Sequence, residues 1–230
     1  MPAAPIHLGW LPPSRAMRAL QALGRLLRDS ERTDEVVVGE EITAQAQLSY
    51  WVRNGIFERG EGADLLRDQP ELAKLDLGEL RSLPDQSLGR EFARFLDDQG
   101  IDLSALAQPT PYTSGPEESY LMRRIRQSHD LWHVLIGVGT RGHEEVLVHC
   151  FSIAQTGFPY SCVIIFFGAL KHMVLERRWG ALGDARRAYR AGKNSASLLG
   201  TYWERRWREP LEGVRAEFQI QPLAEANATT

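Results

Sequence analysis

The residues best equipped for chemistry lie together in one short stretch, Arg126-Gln127-Ser128-His129-Asp130-Leu131-Trp132-His133. On a helix, with about 100° per residue, His133 falls about 40° from His129 and Asp130 about 100° from it. Three ligand-type side chains therefore share one arc, while Leu131 and Trp132 point elsewhere. An i,i+4 histidine pair on a helix can chelate, because both rings reach a common point in space. A break across Gly137–Gly142 turns the chain back, and Glu144-Glu145 opens the next helix, bringing a carboxylate within reach of the same point. Two imidazoles with two carboxylates suit zinc or iron better than magnesium, which prefers oxygen ligands and water. Arg126 lies at about 60° on the same wheel, between His133 and Asp130. It can serve as a plain i,i+4 ion pair with Asp130, or as a fork receiving a substrate carboxylate beside the metal.

The elements that must position these residues read as helices throughout. Pro12-Pro13-Ser14 is a helix entrance, and the stretch to Arg28 sets Ala16, Leu20, Leu23 and Leu27 against Arg15, Arg18, Arg25 and Arg28 on the opposite face. Further helices are expected over Asp34–Asn54, Gly62–Arg67, Leu75–Leu80 and Leu88–Gly100, the last with Phe92, Phe95 and Leu96 as its core stripe. Pro70 and Pro84 interrupt the series. Asp102–Gly115 reads as a loop. Glu117–Gly137, Glu144–Thr156 and a helix from Pro159 to Arg178 follow, then Asp184–Gly192, Leu198–Arg208 and a final helix after Pro210. No segment alternates as a strand does. The predicted fold is all-α, one irregular helical bundle over residues 1–230, with about 13 N-terminal and 10 C-terminal residues flexible.

Composition narrows the function. The 230 residues are 43% hydrophobic and 25% charged with a net charge of -3, as in a globular protein. That charge argues against nucleic acid as a partner. Cys150 and Cys162 sit in apolar stretches and read as buried thiols in a reducing compartment. The apolar run Cys162–Leu170 is too short to span a bilayer, and the N-terminus resembles neither a signal peptide nor a presequence. A cytoplasmic location is expected. Val163–Phe167 is apolar on every face, which suits core packing or, more sharply, a wall for a lipid tail. The Arg/Leu pattern of the first helix likewise suits either a surface helix or an anionic membrane surface.

The string HDLWHVLIGVG followed by Glu145 resembles the HDxxH-x11-E signature of the coenzyme Q biosynthesis protein 4 family. LDLGELRSLPDQSLGREFARFLDD, SIAQTGFP with FFGAL after it, and YWERRWREPLEGVRAEF are similar to further blocks of that family, so the resemblance spans about Ser14 to Ile220. It implies one divalent metal, zinc first with iron or another transition metal as alternatives, held by His129, Asp130, His133 and Glu145. The x11 spacing selects Glu145 over Glu144. It also implies a role in ubiquinone biosynthesis as a carbon–carbon lyase, removing the C1 carboxylate of a polyprenylated 4-hydroxybenzoate with replacement by hydroxyl. Arg126 and Asp130 are then the catalytic candidates. The implied partners are the prenylated substrate, other ubiquinone biosynthesis enzymes and a second copy in a homodimer. The implied address is peripheral, on the inner face of a bacterial inner membrane, or the matrix side of the mitochondrial inner membrane in a eukaryote.

Two other metal chemistries fit worse. An HD-type phosphohydrolase needs an upstream histidine on a separate helix, and only His7 precedes His129. A zincin protease needs Glu directly after its first histidine, where Asp130 stands. The non-enzymatic alternative is a lipid-binding scaffold for the pathway with a structural metal, which a closed four-ligand site would favour.

Overall fold

In a computed structural model, residues 6–7, 9–29, 32–174 and 180–223 are described. The expected end of the helix from Pro159, beyond Val174, and the extreme termini lie outside these residues. The helices are α1 (Pro13–Arg28), α2 (Thr33–Arg53), α3 (Glu61–Asp68), α4 (Leu77–Arg81), α5 (Leu88–Gln99), α6 (Pro116–Ile136), α7 (Gly142–Thr156), α8 (Tyr160–Val174), α9 (Ala181–Asn194) and α10 (Leu211–Phe218). Among the described residues no strand forms, and the bundle is all-helical as expected.

The long helix α6 is the axis of the core. Its first turn has Pro at N1 and Glu117 and Glu118 near the positive end of the dipole. From Tyr120 to Ile136 it buries Tyr120, Leu121, Leu131, Trp132 and Leu135 almost completely. It stops at Gly137, whose φ of 70° is open to glycine and strained for other residues. Arg215 of α10 donates to the carbonyls of Leu135 and Val134 at 2.9 and 2.8 Å, satisfying acceptors that the helix end would leave bare. Helices α7 and α9 approach so closely at Gly192 that a Cβ there would overlap the Phe151 carbonyl oxygen.

The segment Leu198–Arg208, expected as a helix, is instead a turn and a 3-10 piece, Trp203–Arg205. Its polar groups are spent on tertiary partners. The Leu198 N–H donates to Gln155, and the carbonyls of Trp207 and Glu209 accept from Gly89 and Leu88 at the head of α5. Arg124 of α6 fixes the piece by pairing with Glu204 at 2.6 Å. The predicted loop Asp102–Gly115 likewise contains a 3-10 turn, Leu103–Leu106.

Helix α1 does not present its leucine face inward as a whole. Leu20 is 64% exposed, whereas Arg18 and Arg25 reach across to Glu35 of α2 at 2.6 and 2.7 Å. Glu35 is buried, and an ionised carboxylate there needs cations. It therefore draws the arginines into the interface and turns Met17 and Leu20 outward. The Arg25 hydrogen bond, and with it Arg18, holds the Glu35 carboxyl below its usual range against the opposing effect of burial.

A depressed folded-state pKa gives stability that is present above the ordinary value of 4.5 and is lost as pH falls. Glu35→Gln should cost about 1–3 kcal/mol at neutral pH, reduced by the partial exposure of both arginines. The gap between the two denaturation curves should close below pH about 4.5. A gap that stays constant down to acid pH would contradict this assignment.

Helix α8 corrects two expectations. Cys162 is exposed, unlike buried Cys150. The Val163–Phe167 run is not packed into the core on all sides, since Phe166 is 62% exposed and its neighbours are only partly covered. The helix lies mainly against α7, with fewer approaches to α2 and α9, which leaves an apolar flank open. No helix among the described residues is long and apolar enough to cross a membrane.

Candidate metal centre

Helix α6 places His129, Asp130 and His133 on one arc, as the 3.6-residue period requires, with one ligand-type atom from each within 4.8 Å of the others. The Gly137 turn and the start of α7 bring Glu145 across. Its Oε1 lies 3.5 Å from His133 Nε2 and its Oε2 lies 3.8 Å from His129 Nε2. The four residues singled out from the sequence are thus brought together.

His133 forms the closed wall. Its side chain is fully buried, and Phe95 of α5 stacks on the ring at a centroid distance of 5.4 Å. Nδ1 lies 2.8 Å from the Gly139 carbonyl oxygen. A carbonyl only accepts, so the proton sits on Nδ1 and the lone pair of Nε2 faces the cluster. That Nε2 is buried and has no hydrogen-bond partner. An unsatisfied buried nitrogen flanked by carboxylate oxygens is what a divalent cation would satisfy. The donor chemistry and this orphaned atom both fit such an ion.

His129 and Glu145 form the more open side, with side-chain exposures of 28% and 34%. Burial opposes charge on His129, but the Asp130 hydrogen bond and the charges of Glu145 and Asp130 prevail and push its pKa up to about 9. Burial works against charge on Glu145 too, and the adjoining His133 and His129 imidazoles outweigh it, holding this carboxyl below its usual range. A metal entering the cluster must displace the His129 proton.

Glu144 is turned away. It bonds Arg141 at 2.9 Å and accepts from the Arg141 N–H at 3.1 Å, closing a capping box on α7.

Arg126 departs from the simple pairing expected with Asp130. It bonds Glu41 of α2 at 3.1 Å and the Val37 carbonyl at 2.8 Å, and its Nε is 3.8 Å from Glu40. Glu41 also accepts from the Tyr112 N–H, so it anchors both α6 and the preceding loop. The buried Glu41 is a stronger competitor than Asp130 for this guanidinium. Burial pushes the Glu40 carboxyl upward, against the charges of Arg126 and His129.

Sequence reasoning missed Glu40, because nothing local ties α2 to α6. It also missed His149, one turn beyond Glu145, with its ring centroid 5.6 Å from that of His129. The Glu-x-x-x-His spacing at 145–149 was a usable signal. Burial and the neighbouring His129 charge hold the His149 pKa down to about 4.

A bundle in which two consecutive helices converge histidines and carboxylates on one shielded point is an all-helical protein with a metal-type donor cluster. The family model of the coenzyme Q (ubiquinone) biosynthesis protein Coq4 matches residues 7–224. The chain belongs to that family. It is 34% identical over 222 residues to the ubiquinone biosynthesis protein COQ4 homolog of Mus musculus, covering 95% of this chain and 82% of that one. It is also 34% identical over 230 residues to the Homo sapiens protein of the same description, covering 95% and 83%. Both relatives are described as mitochondrial. A crystal structure from Nostoc punctiforme, described as a candidate ubiquinone biosynthesis protein, shares the fold. Its TM-score is 0.68 at 24% identity, covering 88% of this chain and 97% of that one.

Proposed function

We propose that this member of a ubiquinone biosynthesis family removes the C1 carboxylate of a polyprenylated 4-hydroxybenzoate at a divalent metal held by His129, Asp130, His133 and Glu145. The observation that carries the reading is the asymmetry of the cluster, sealed behind His133 and partly open at His129 and Glu145. A closed structural site has no use for an accessible side, whereas a catalytic site keeps a position for substrate. That asymmetry favours an enzyme over a lipid-binding scaffold.

The reaction exchanges carboxyl for hydroxyl, with carbon dioxide leaving. It is a two-electron oxidation that consumes an oxidant of the dioxygen class. When bound, the ion supplies Lewis-acid polarisation of the substrate oxygens. The protein's own groups bind and orient. Arg126, already anchored to Glu41 and Val37, offers the carboxylate its Nε edge, which makes no hydrogen bond and faces Glu40 at 3.8 Å, in place of Glu40. Asp130 holds the His129 ring by its Nδ1, 3.5 Å away, and so keeps Nε2 turned toward Glu145. The ring of Tyr160, at the head of α8, lies against Gly39 of α2 next to Glu40. The partly covered Val163–Phe167 run of α8, with Phe166 exposed, would then suit a prenyl tail in peripheral contact with a membrane.

Arg126→Lys tests this placement. It keeps the charge but loses the fork. Carboxyl removal should fall about 10–100-fold, as expected for one charge-assisted hydrogen bond of roughly 1.5–3 kcal/mol lost in the transition state. Metal content should stay at the wild-type level. Because Arg126 also ties α6 to α2, a lower Tm is expected as well. A lower Tm with unchanged turnover would show that the arginine only braces the helices.

A further inference from the structure

We infer that His149 is a further ligand of the metal centre, completing a three-imidazole donor set that selects a transition metal over magnesium or calcium. The inference rests on the proposed metal site and extends its ligand set. Ligand-type atoms of His129, Glu145 and His149 lie within 4.8 Å of one another, as do those of His129, Asp130 and His133. The two triads share His129, and the two oxygens of Glu145 face His129 on one side and His133 on the other. Helix α7 presents Glu145 and His149 at i,i+4, the spacing at which two side chains of a helix meet a common point. The same device is used by His129 and His133 on α6. The site is therefore built from two i,i+4 pairs on adjacent helices.

A histidine that merely fills space in a helix interface would satisfy its ring nitrogens with neighbours. His149 Nδ1 is buried and has no hydrogen-bond partner, the condition already noted for His133 Nε2. Two orphaned imidazole nitrogens, one on each of two helices and both on rings beside Glu145, leave polar capacity at the cluster that a cation would satisfy. Three neutral imidazoles suit zinc, cobalt, copper or iron, whereas magnesium and calcium take oxygen ligands. With His129, His133 and two carboxylates alone, the set would discriminate less sharply.

The test uses the full chain loaded separately with Co(II), Cu(II) and Mg(II). Wild-type protein carrying Cu(II) should show hyperfine coupling to three nitrogens by electron paramagnetic resonance, and His149→Ala to two. Co(II) affinity should fall at least about 10–100-fold in that variant, with a changed visible spectrum, while Mg(II) affinity stays within about twofold. His149→Asn retains a polar group near the Nδ1 position, so it serves if the alanine variant does not fold. It should lose the third nitrogen coupling while holding Co(II) better than alanine does. Three-nitrogen coupling and unchanged Co(II) affinity in either variant would overturn the assignment. If His133→Ala then still removes the ion, the four-residue site stands without His149. If it does not, both readings fall.

Discussion

Protein carrying His133→Ala should come off the column without its divalent ion and with its helices intact. The imidazole contributes a lone pair that no protein group uses, and its orientation is set from behind by the Gly139 carbonyl and by Phe95. Even residues that only orient a ligand cost about 10–100-fold in metal affinity when removed, so loss of the ligand itself should be at least as severe. The substitution also empties a fully buried position, which costs about 2–4 kcal/mol by analogy with other large-to-alanine changes in cores. That lies within the about 5–15 kcal/mol of a typical domain. Circular dichroism should therefore show wild-type helicity at a lower Tm, and elemental analysis a metal content near zero. Full stoichiometric metal in this variant would mean that the cluster is not the binding site.

The adjacent glutamates should separate by a comparable margin. Consecutive helix positions differ by about 100°, so only one of them can face α6. Glu145 does, while Glu144 closes the capping box with Arg141. Glu145→Gln removes a negative ligand and should weaken metal retention at least about 10–100-fold. Glu144→Gln should leave affinity nearly unchanged and cost only about 0.5–2 kcal/mol of helix capping. Competition with a chromogenic chelator would rank the two. The opposite ranking would mean that α7 is rotated by one residue from the register described.

The cluster was legible in the sequence because its core is local. His129, Asp130 and His133 are fixed relative to one another by helix periodicity alone, one glycine-terminated turn brings a carboxylate of Glu144-Glu145 across, and the spacing of the family signature selects Glu145. The parts that were not legible depend on contacts between distant segments. Arg126 has a carboxylate neighbour at i+4, so periodicity suggests Asp130, yet buried Glu41 of α2 prevails. The leucines of α1 mark a plausible inward face, but Glu35 needs its arginines more than the core needs Leu20. Leu198–Arg208 has the composition of a helix and gives its backbone groups to α5 and Gln155. In each case a buried polar group elsewhere in the chain overrides a local pattern, and a single sequence does not reveal where that group will lie.

The central claim is that a metal-dependent loss of the substrate carboxyl takes place at this cluster. Its most direct test supplies a prenylated 4-hydroxybenzoate, isotopically labelled at the carboxyl carbon, to metal-loaded protein under air and follows labelled carbon dioxide by mass spectrometry. Release by the wild-type protein should depend on the ion, leave a hydroxylated ring in equal amount, and vanish in folded His133→Ala. Fully loaded protein that releases no labelled carbon dioxide, or metal-free protein that releases it equally well, would contradict the account.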